Sequence, residues 1–203
     1  MALISSHDLC CAIFLGYTEA AEYSTNTDED GIWLSRGVGH VRSVLGYPGR
    51  MAPSKKLHLI ILVGFEVERA RALIEIMEPS KISLGVGAQD RSFSEHHYTR
   101  NKRFQERLQE FINRQTRVQT EVDTFTFSCV NPYEARDAVL PQLDKHPEFN
   151  TVICPMNTKI STIGVGFAAL KVPHLQIVYA TVVEYNEEGY STLGNEVSIF
   201  QWI

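Results

Sequence analysis

Residues 155–166 read PMNTKISTIGVG and follow the apolar run TVIC at 151–154. Asn157, Thr158, Lys159, Ser161 and Thr162 fall within six positions there. If a helix starts near Asn157 or Thr158, its first backbone N–H groups and positive dipole end face outward, an arrangement suited to an anion and above all to phosphate. Lys159 adds a mobile point charge, and Ser161 and Thr162 add hydroxyl donors. The plain alternative is that Asn157 or Thr158 only caps the helix and Lys159 is solvated. A second corner, Gly64-Phe65-Glu66, follows the apolar run LHLIILV. Gly64 lets the chain turn off a strand, Phe65 offers a stacking face, and Glu66 can accept from an amine or a ribose hydroxyl. Its plain reading is a glycine turn, a core aromatic and an acid near a helix start.

Other residue types give less. GVG occurs at 37–39, 85–87 and 164–166, but none completes GxGxxG or GxxxxGK[ST]. The second could contact phosphate; the third, inside a helical pattern, reads as close helix–sheet packing. His96 and His97 are adjacent and diverge on a helix, so they do not share a metal. Cys10, Cys11, Cys129 and Cys154 form no CxxC pair and read as reduced, buried thiols of a cytoplasmic protein. Cys154 ends a strand at the lysine corner, but no histidine pairs with it by spacing. No carboxylate pair stands out for acid–base work. Neither a metal nor a cofactor is expected.

The elements that must position these corners are legible as alternating patterns. Apolar runs at 9–15, 57–63, 81–86, 124–130, 151–154, 174–180 and 196–202 read as strands. Most are continuous, which suits strands covered on both faces. Between them lie helical patterns. FEVERARALIEIM is closed by Pro79. The basic SEHHYTRNKRFQERLQEFINRQ carries Phe104, Leu108, Phe111 and Ile112 on one stripe. NPYEARDAVLPQLDKH has Asn131 as N-cap, Pro132 at the first position and a kink or break at Pro141. TKISTIGVGFAALK places Ile160, Ile163, Phe167 and Leu170 on one face. The order β-α-β-α-β-α-β-α-β-β from residue 57 predicts an α/β fold: a Rossmann-like three-layer sandwich with a mostly parallel sheet. The last strand is expected to pair antiparallel at an edge.

The 203 residues fit one domain, and residues 1–56 are its less regular part, either in the same sheet or forming an arm. From Gly31 to Phe65 there is no acidic residue, while Arg36, Arg42, Arg50, Lys55 and Lys56 occur there. That segment reads as a solvated loop region, or as a cover for an anionic ligand or a surface for a protein partner at 31–56. A net charge of −5 gives no global basic footprint for duplex nucleic acid. Arg100 to Arg117 holds six basic and two acidic residues and reads as a solvated helix face. The N-terminus lacks a basic region and a cleavage signature, so no signal peptide is expected. No run approaches the roughly 18 apolar residues that span a membrane.

A strand, then NTKIS, then a helix rich in small residues resembles the late ligand-binding corner of CARF domains, the CRISPR-associated Rossmann-fold sensors. MNTK stands here where those domains carry a Gly-Gly-Thr-Lys type turn. LVGFE resembles their first strand-end loop, and the likeness covers about residues 57–180. It implies a homodimer that binds a cyclic or linear oligonucleotide, or another nucleotide signal, across its two-fold axis. Thr158 and Lys159 would hold phosphate and Gly64 to Glu66 would line the pocket. It also implies a role in antiviral defence. Two other functions are open: a small enzyme that processes a nucleotide or phosphate with Lys159, Ser161 and Glu66, and a non-catalytic subunit of a defence complex whose 31–56 arm and basic 100–117 helix bind a protein or nucleic-acid partner.

Overall fold

The computed structural model describes residues 13–23, 35–115, 120–186 and 191–202. Among them, eight strands and four α-helices follow one another as β1 (Ile13–Tyr23), β2 (Ser35–Pro48), β3 (Leu57–Leu62), α1 (Val67–Met77), β4 (Lys81–Gly87), α2 (Glu95–Gln115), β5 (Glu121–Phe127), α3 (Pro132–Asp144), β6 (Asn150–Pro155), α4 (Lys159–Lys171), β7 (Gln176–Tyr185) and β8 (Ser191–Trp202). From β3 onward this is the predicted alternation. The protein is α/β, with a mostly parallel six-stranded sheet in the order β2-β7-β6-β3-β4-β5.

β3 to β7 run parallel wherever they pair. β3 comes first of these in the chain and lies in the middle. The chain steps outward through β4 to β5, then crosses back to β6 on the other side of β3 and out to β7. The strand order therefore reverses between β3 and β6. Alternate residues of β3 serve two separate apolar clusters, because side chains of a strand alternate in direction. Leu59, Ile61 and Val63 join Ala70 and Leu73 of α1 and Leu108 and Ile112 of α2. Ile60 and Leu62 join Ala135 and Val139 of α3 and Val165 and Ala168 of α4.

Local sequence sets the helix ends. Asn131 accepts from the backbone N–H groups of Tyr133 and Glu134, and Pro132 opens α3, as expected. Pro141 does not end α3, which runs on to Asp144. The proline is exposed on the solvent side, and its carbonyl still accepts from the N–H of Lys145. Helix α4 is buried through Gly164, Val165, Ala168 and Ala169, whereas Leu170 is exposed. Its close contact is with α3 rather than with the sheet: a Cβ on Gly164 would lie 2.6 Å from the carbonyl oxygen of Pro132.

Two further expectations change. Of the 31–56 segment, residues 35–48 are β2, paired antiparallel with β7 at the sheet edge, so most of the acid-free stretch is part of the sheet and not a free arm. The final strand is antiparallel, as expected, but its partner is β1. These two form a separate two-stranded ribbon, and the antiparallel edge of the main sheet is β2. Residues 13–15 of the first terminal run and residues 196–202 of the last are thus not buried strands of the main sheet. Residues 9–12, with Cys10 and Cys11, lie outside the described residues. Among the described residues no helix is long and apolar enough to cross a membrane.

Candidate functional site

In open α/β sheets ligands bind beyond the carboxyl ends of the strands, where the strand order reverses. Here that place lies between the ends of β3 and β6, and the corners that leave it are 63–66 and 155–159. They are the two corners picked out by residue type. The register sets Leu62 against Pro155. A Cβ on Gly64 would lie 1.8 Å from the carbonyl oxygen of Met156, so only glycine lets the two loops touch.

Amide side chains lock the contact. Asn157 Nδ2 donates to the carbonyl of Val63 at 2.5 Å, and Asn101 Nδ2, from α2, donates to the same carbonyl at 2.6 Å. Asn101 Oδ1 accepts from the N–H of Gly87 at the end of β4. Asn157 Oδ1 accepts from the N–H of Thr158 at 2.9 Å and from the Cys129 thiol at 3.3 Å. One carbonyl and two amides thereby tie four strand ends together. Asn101 is fully buried and was not among the predicted site residues. It sits three and seven positions before Phe104 and Leu108, a polar residue on the apolar stripe of α2, and that spacing is the signal that marks it.

Thr158 is the N-cap of α4. Its Oγ1 accepts from the N–H of Ser161 at 3.1 Å and donates to the carbonyl of Cys129 at 2.9 Å. Ser161 and Thr162 hydroxyls donate back to the Thr158 carbonyl at 2.9 and 3.0 Å. Asn157, Thr158 and Ser161 thus spend polar atoms on the loop itself, and Thr158 and Ser161 are buried. Lys159 and Thr162 are exposed, and Lys159 makes no ion pair among the described residues. The N–H groups of Lys159 and Ile160 have no acceptor within the helix, as its geometry requires. One exposed ammonium and the positive end of the helix dipole therefore face solvent at the same corner.

The other corner is more fully engaged. The Phe65 ring packs edge-on against His97 at 4.9 Å and beside Phe104 at 5.8 Å, with the Arg100 guanidinium 5.1 Å from its centre. Burial, then the neighbouring Arg100 and His96, push His97 down to about 4, so it stays neutral beside the arginine near pH 7. The Glu66 carboxylate pairs with Arg69 and accepts from the Ser35 hydroxyl. Arg69 in turn donates to the carbonyl of Ala180 at 2.8 Å and lies over Tyr179. Glu66 thereby ties α1 to the β2–β7 edge.

The remaining candidates resolve on packing. A Cβ on Gly87 would lie 2.4 Å from Cys129 Sγ and one on Gly85 2.7 Å from the Phe125 ring, so the second GVG makes room for neighbouring side chains. Burial pushes the thiols of Cys129 and Cys154 up to about 12, which leaves neither a usable nucleophile. Among the described residues no group of three or more histidine, cysteine, aspartate or glutamate side chains is placed to hold a metal. The arrangement can bind an anion through the N-terminus of α4 and Lys159. No family model matches the chain, and no curated protein matches it.

Proposed function

We propose that the protein is a nucleotide-binding sensor: a Rossmann-like three-layer sandwich, cytoplasmic and homodimeric, that recognises an anionic oligonucleotide or related nucleotide signal in antiviral defence. The observation that carries this reading is the coincidence of three features at one place. The strand order reverses between β3 and β6, the N-terminus of α4 opens there, and Lys159 is exposed on its first turn. The likeness of NTKIS and LVGFE to the strand-end loops of CARF domains supports the same place. In this reading the Lys159 ammonium and the N–H of Lys159, at the open end of α4, contact phosphate. Asn157, Thr158 and Ser161 hold the loop in shape, and Gly64 to Glu66 form the opposite wall. Binding, not turnover, is the expected outcome, because the buried thiols supply no nucleophile and Glu66 is held by Arg69.

A thermal-shift screen of cyclic and linear oligonucleotides on wild type and Lys159→Ala tests it. A ligand at one hundred times its Kd adds about 2.7 kcal/mol, or about 5–10 °C for a chain of this size. The wild type gains that shift and leaves the ligand intact. Lys159→Ala keeps its unliganded melting point, because the side chain is exposed, and loses most of the gain. If no anionic ligand moves the wild-type melting point, the reading fails. If the ligand is consumed, the protein is an enzyme instead.

A further inference from the structure

The loop 49–56 joins β2 to β3, which are not neighbours in the sheet, so it runs beneath the amino ends of β7 and β6. It is tied to both. The N–H of Arg50 donates to the carbonyl of His174, just before β7, at 3.1 Å. Asn150, the first residue of β6, donates through Nδ2 to the carbonyls of Ala52 and Lys55 at 2.8 and 2.9 Å, and its Oδ1 accepts from the N–H of Ala52 at 2.8 Å. Its own N–H donates to the carbonyl of Lys56 at 2.8 Å. The backbone of this loop is therefore fixed, and His174 sets the 171–175 connection between α4 and β7 beside it.

Both stretches carry one sign of charge. GRMAPSKK at 49–56 and KVPHL at 171–175 hold Arg50, Lys55, Lys56 and Lys171 and not one acid. All four side chains are exposed, and none of them is in an ion pair among the described residues. Lys55 Nζ instead holds the carbonyl of Pro147 at 2.6 Å. Asp137 of α3 acts on Lys171 but is itself paired with Arg136. The acids of the same end lie toward β5, where Glu78, Glu121, Asp144 and Glu148 are exposed. Glu121 meets Lys81 there, and Glu148 turns to His146. This end of the molecule is thus divided, basic beneath β7 and β6 and acidic toward β5, in a chain whose net charge is −5.

We propose that residues 49–56 and 171–175 form one surface for a short acidic segment of a partner protein, whose carboxylates pair with Arg50, Lys55, Lys56 and Lys171 while the exposed Met51 meets an apolar side chain. The division of charge selects the partner. The basic half reaches from β2 to β3, three strand spacings or about 15 Å, which an extended segment of about five residues covers. A duplex or an anionic membrane reaches well past that and brings its phosphates against Glu78, Glu121, Asp144 and Glu148. Single-stranded nucleic acid finds no phenylalanine, tyrosine or tryptophan in either stretch on which to stack a base. Because the loop backbone is already fixed, little of it has to be ordered on binding. The surface lies at the amino ends of the strands and the candidate anion site at their carboxyl ends, so the inference does not rest on nucleotide binding.

Fluorescence anisotropy of the full chain with a labelled peptide of about six glutamates and one leucine, in about 50 mM salt, tests it. Wild type binds with a Kd of about 10–100 µM, and about 300 mM salt weakens this at least about 10-fold. Lys56→Glu and Lys171→Glu each weaken it at least about 5-fold, although the two residues are remote in sequence. Arg114→Glu makes the same change of charge on an exposed part of α2 and leaves the Kd within about 2-fold. All three variants melt with the wild type, because the side chains are exposed. A wild type that does not bind the peptide at about 200 µM overturns the inference. So does an equal loss in Arg114→Glu, which means a diffuse field, or a loss confined to one of the two stretches, which means that they do not act together. A single strand of about 20 thymidines, or vesicles with about 30% phosphatidylserine, overturns it by binding more tightly than the peptide. Lys159→Ala binds the peptide like wild type, so failure here and failure of the nucleotide reading are separate results.

Discussion

Gly64 and Asn157 shape the candidate site more than Lys159 does, although the lysine is the residue with obvious chemistry. The lysine is exposed and its removal costs the fold little. Gly64 holds the place where the β3 and β6 loops touch, and any side chain there meets the Met156 carbonyl at 1.8 Å. The neighbour is backbone, so it cannot move aside as a flexible side chain would. Gly64→Ala should therefore lower stability by about 2–4 kcal/mol, toward the upper end of what overpacking costs. Urea denaturation checks this, with Gly16→Ala as the control, since a Cβ there meets nothing within 4 Å among the described residues. Equal stability of Gly64→Ala and wild type would mean that the two loops do not touch.

Helix α3 shows how an element can defeat a rule that is sound for single residues. Proline inside a helix removes one N–H and costs about 3 kcal/mol in a helix interior. Pro141 nevertheless sits within an unbroken α3, near its end and toward solvent, while Ala135 and Val139 hold the helix in the core. Packing outweighs the lost bond. Pro141→Ala returns that bond to the Asp137 carbonyl and should raise stability by about 1–2 kcal/mol; a loss of stability would show that the proline relieves a strain at this turn. The same contest decides what the sequence made legible. The alternation from β3 to β7 was readable because the continuous apolar runs of β3, β4 and β6 are buried on both faces, and the caps at Asn131 and Thr158 because side chain and backbone meet locally. The partners of β1, β2 and β8 were not readable. Pairing at a sheet edge is set by long-range register, and a short apolar run reads alike in a buried strand and in a half-covered ribbon. Likewise the anion-facing residue types at 157–162 were visible, but not that Asn157, Thr158 and Ser161 bond inward, because their acceptors at Val63 and Cys129 are distant in sequence.

At the scale of the whole molecule, buried titratable groups at both ends of the sheet set its response to acid. His58 is fully buried at the end opposite the candidate site, its Nε2 is 2.8 Å from the Ser83 hydroxyl, and the His146 ring lies 5.2 Å away. Burial, then the neighbouring His146 and Lys81, lower His58 to about 4, against the weaker pull of Asp123 and Glu148. His97 is lowered to about 4 as well. Asp123 is depressed to about 2, first by the hydrogen bond from Lys145 and then by those from His146 and Lys81, which outweigh its partial burial. In all three the folded state binds its proton less readily than the unfolded chain, so in each window the unfolded chain holds more protons and stability rises with pH. The windows follow in sequence. As pH falls from about 6.5 to 4 the two histidines withdraw stability, each by up to about 1.4 kcal/mol per pH unit. From about 4 to 2 the loss passes to Asp123 as its contacts with Lys145, His146 and Lys81 are neutralised. His58→Gln keeps a donor for Ser83 but cannot titrate, so it should remove about half of the slope between pH 6.5 and 4 and leave the acid limb below pH 4 in place. Urea denaturation at half-unit pH steps reads both limbs. A wild-type profile that is flat from pH 6.5 to 4 would mean that water reaches these imidazoles and that the two ends of the sheet are less tightly closed than their burial implies.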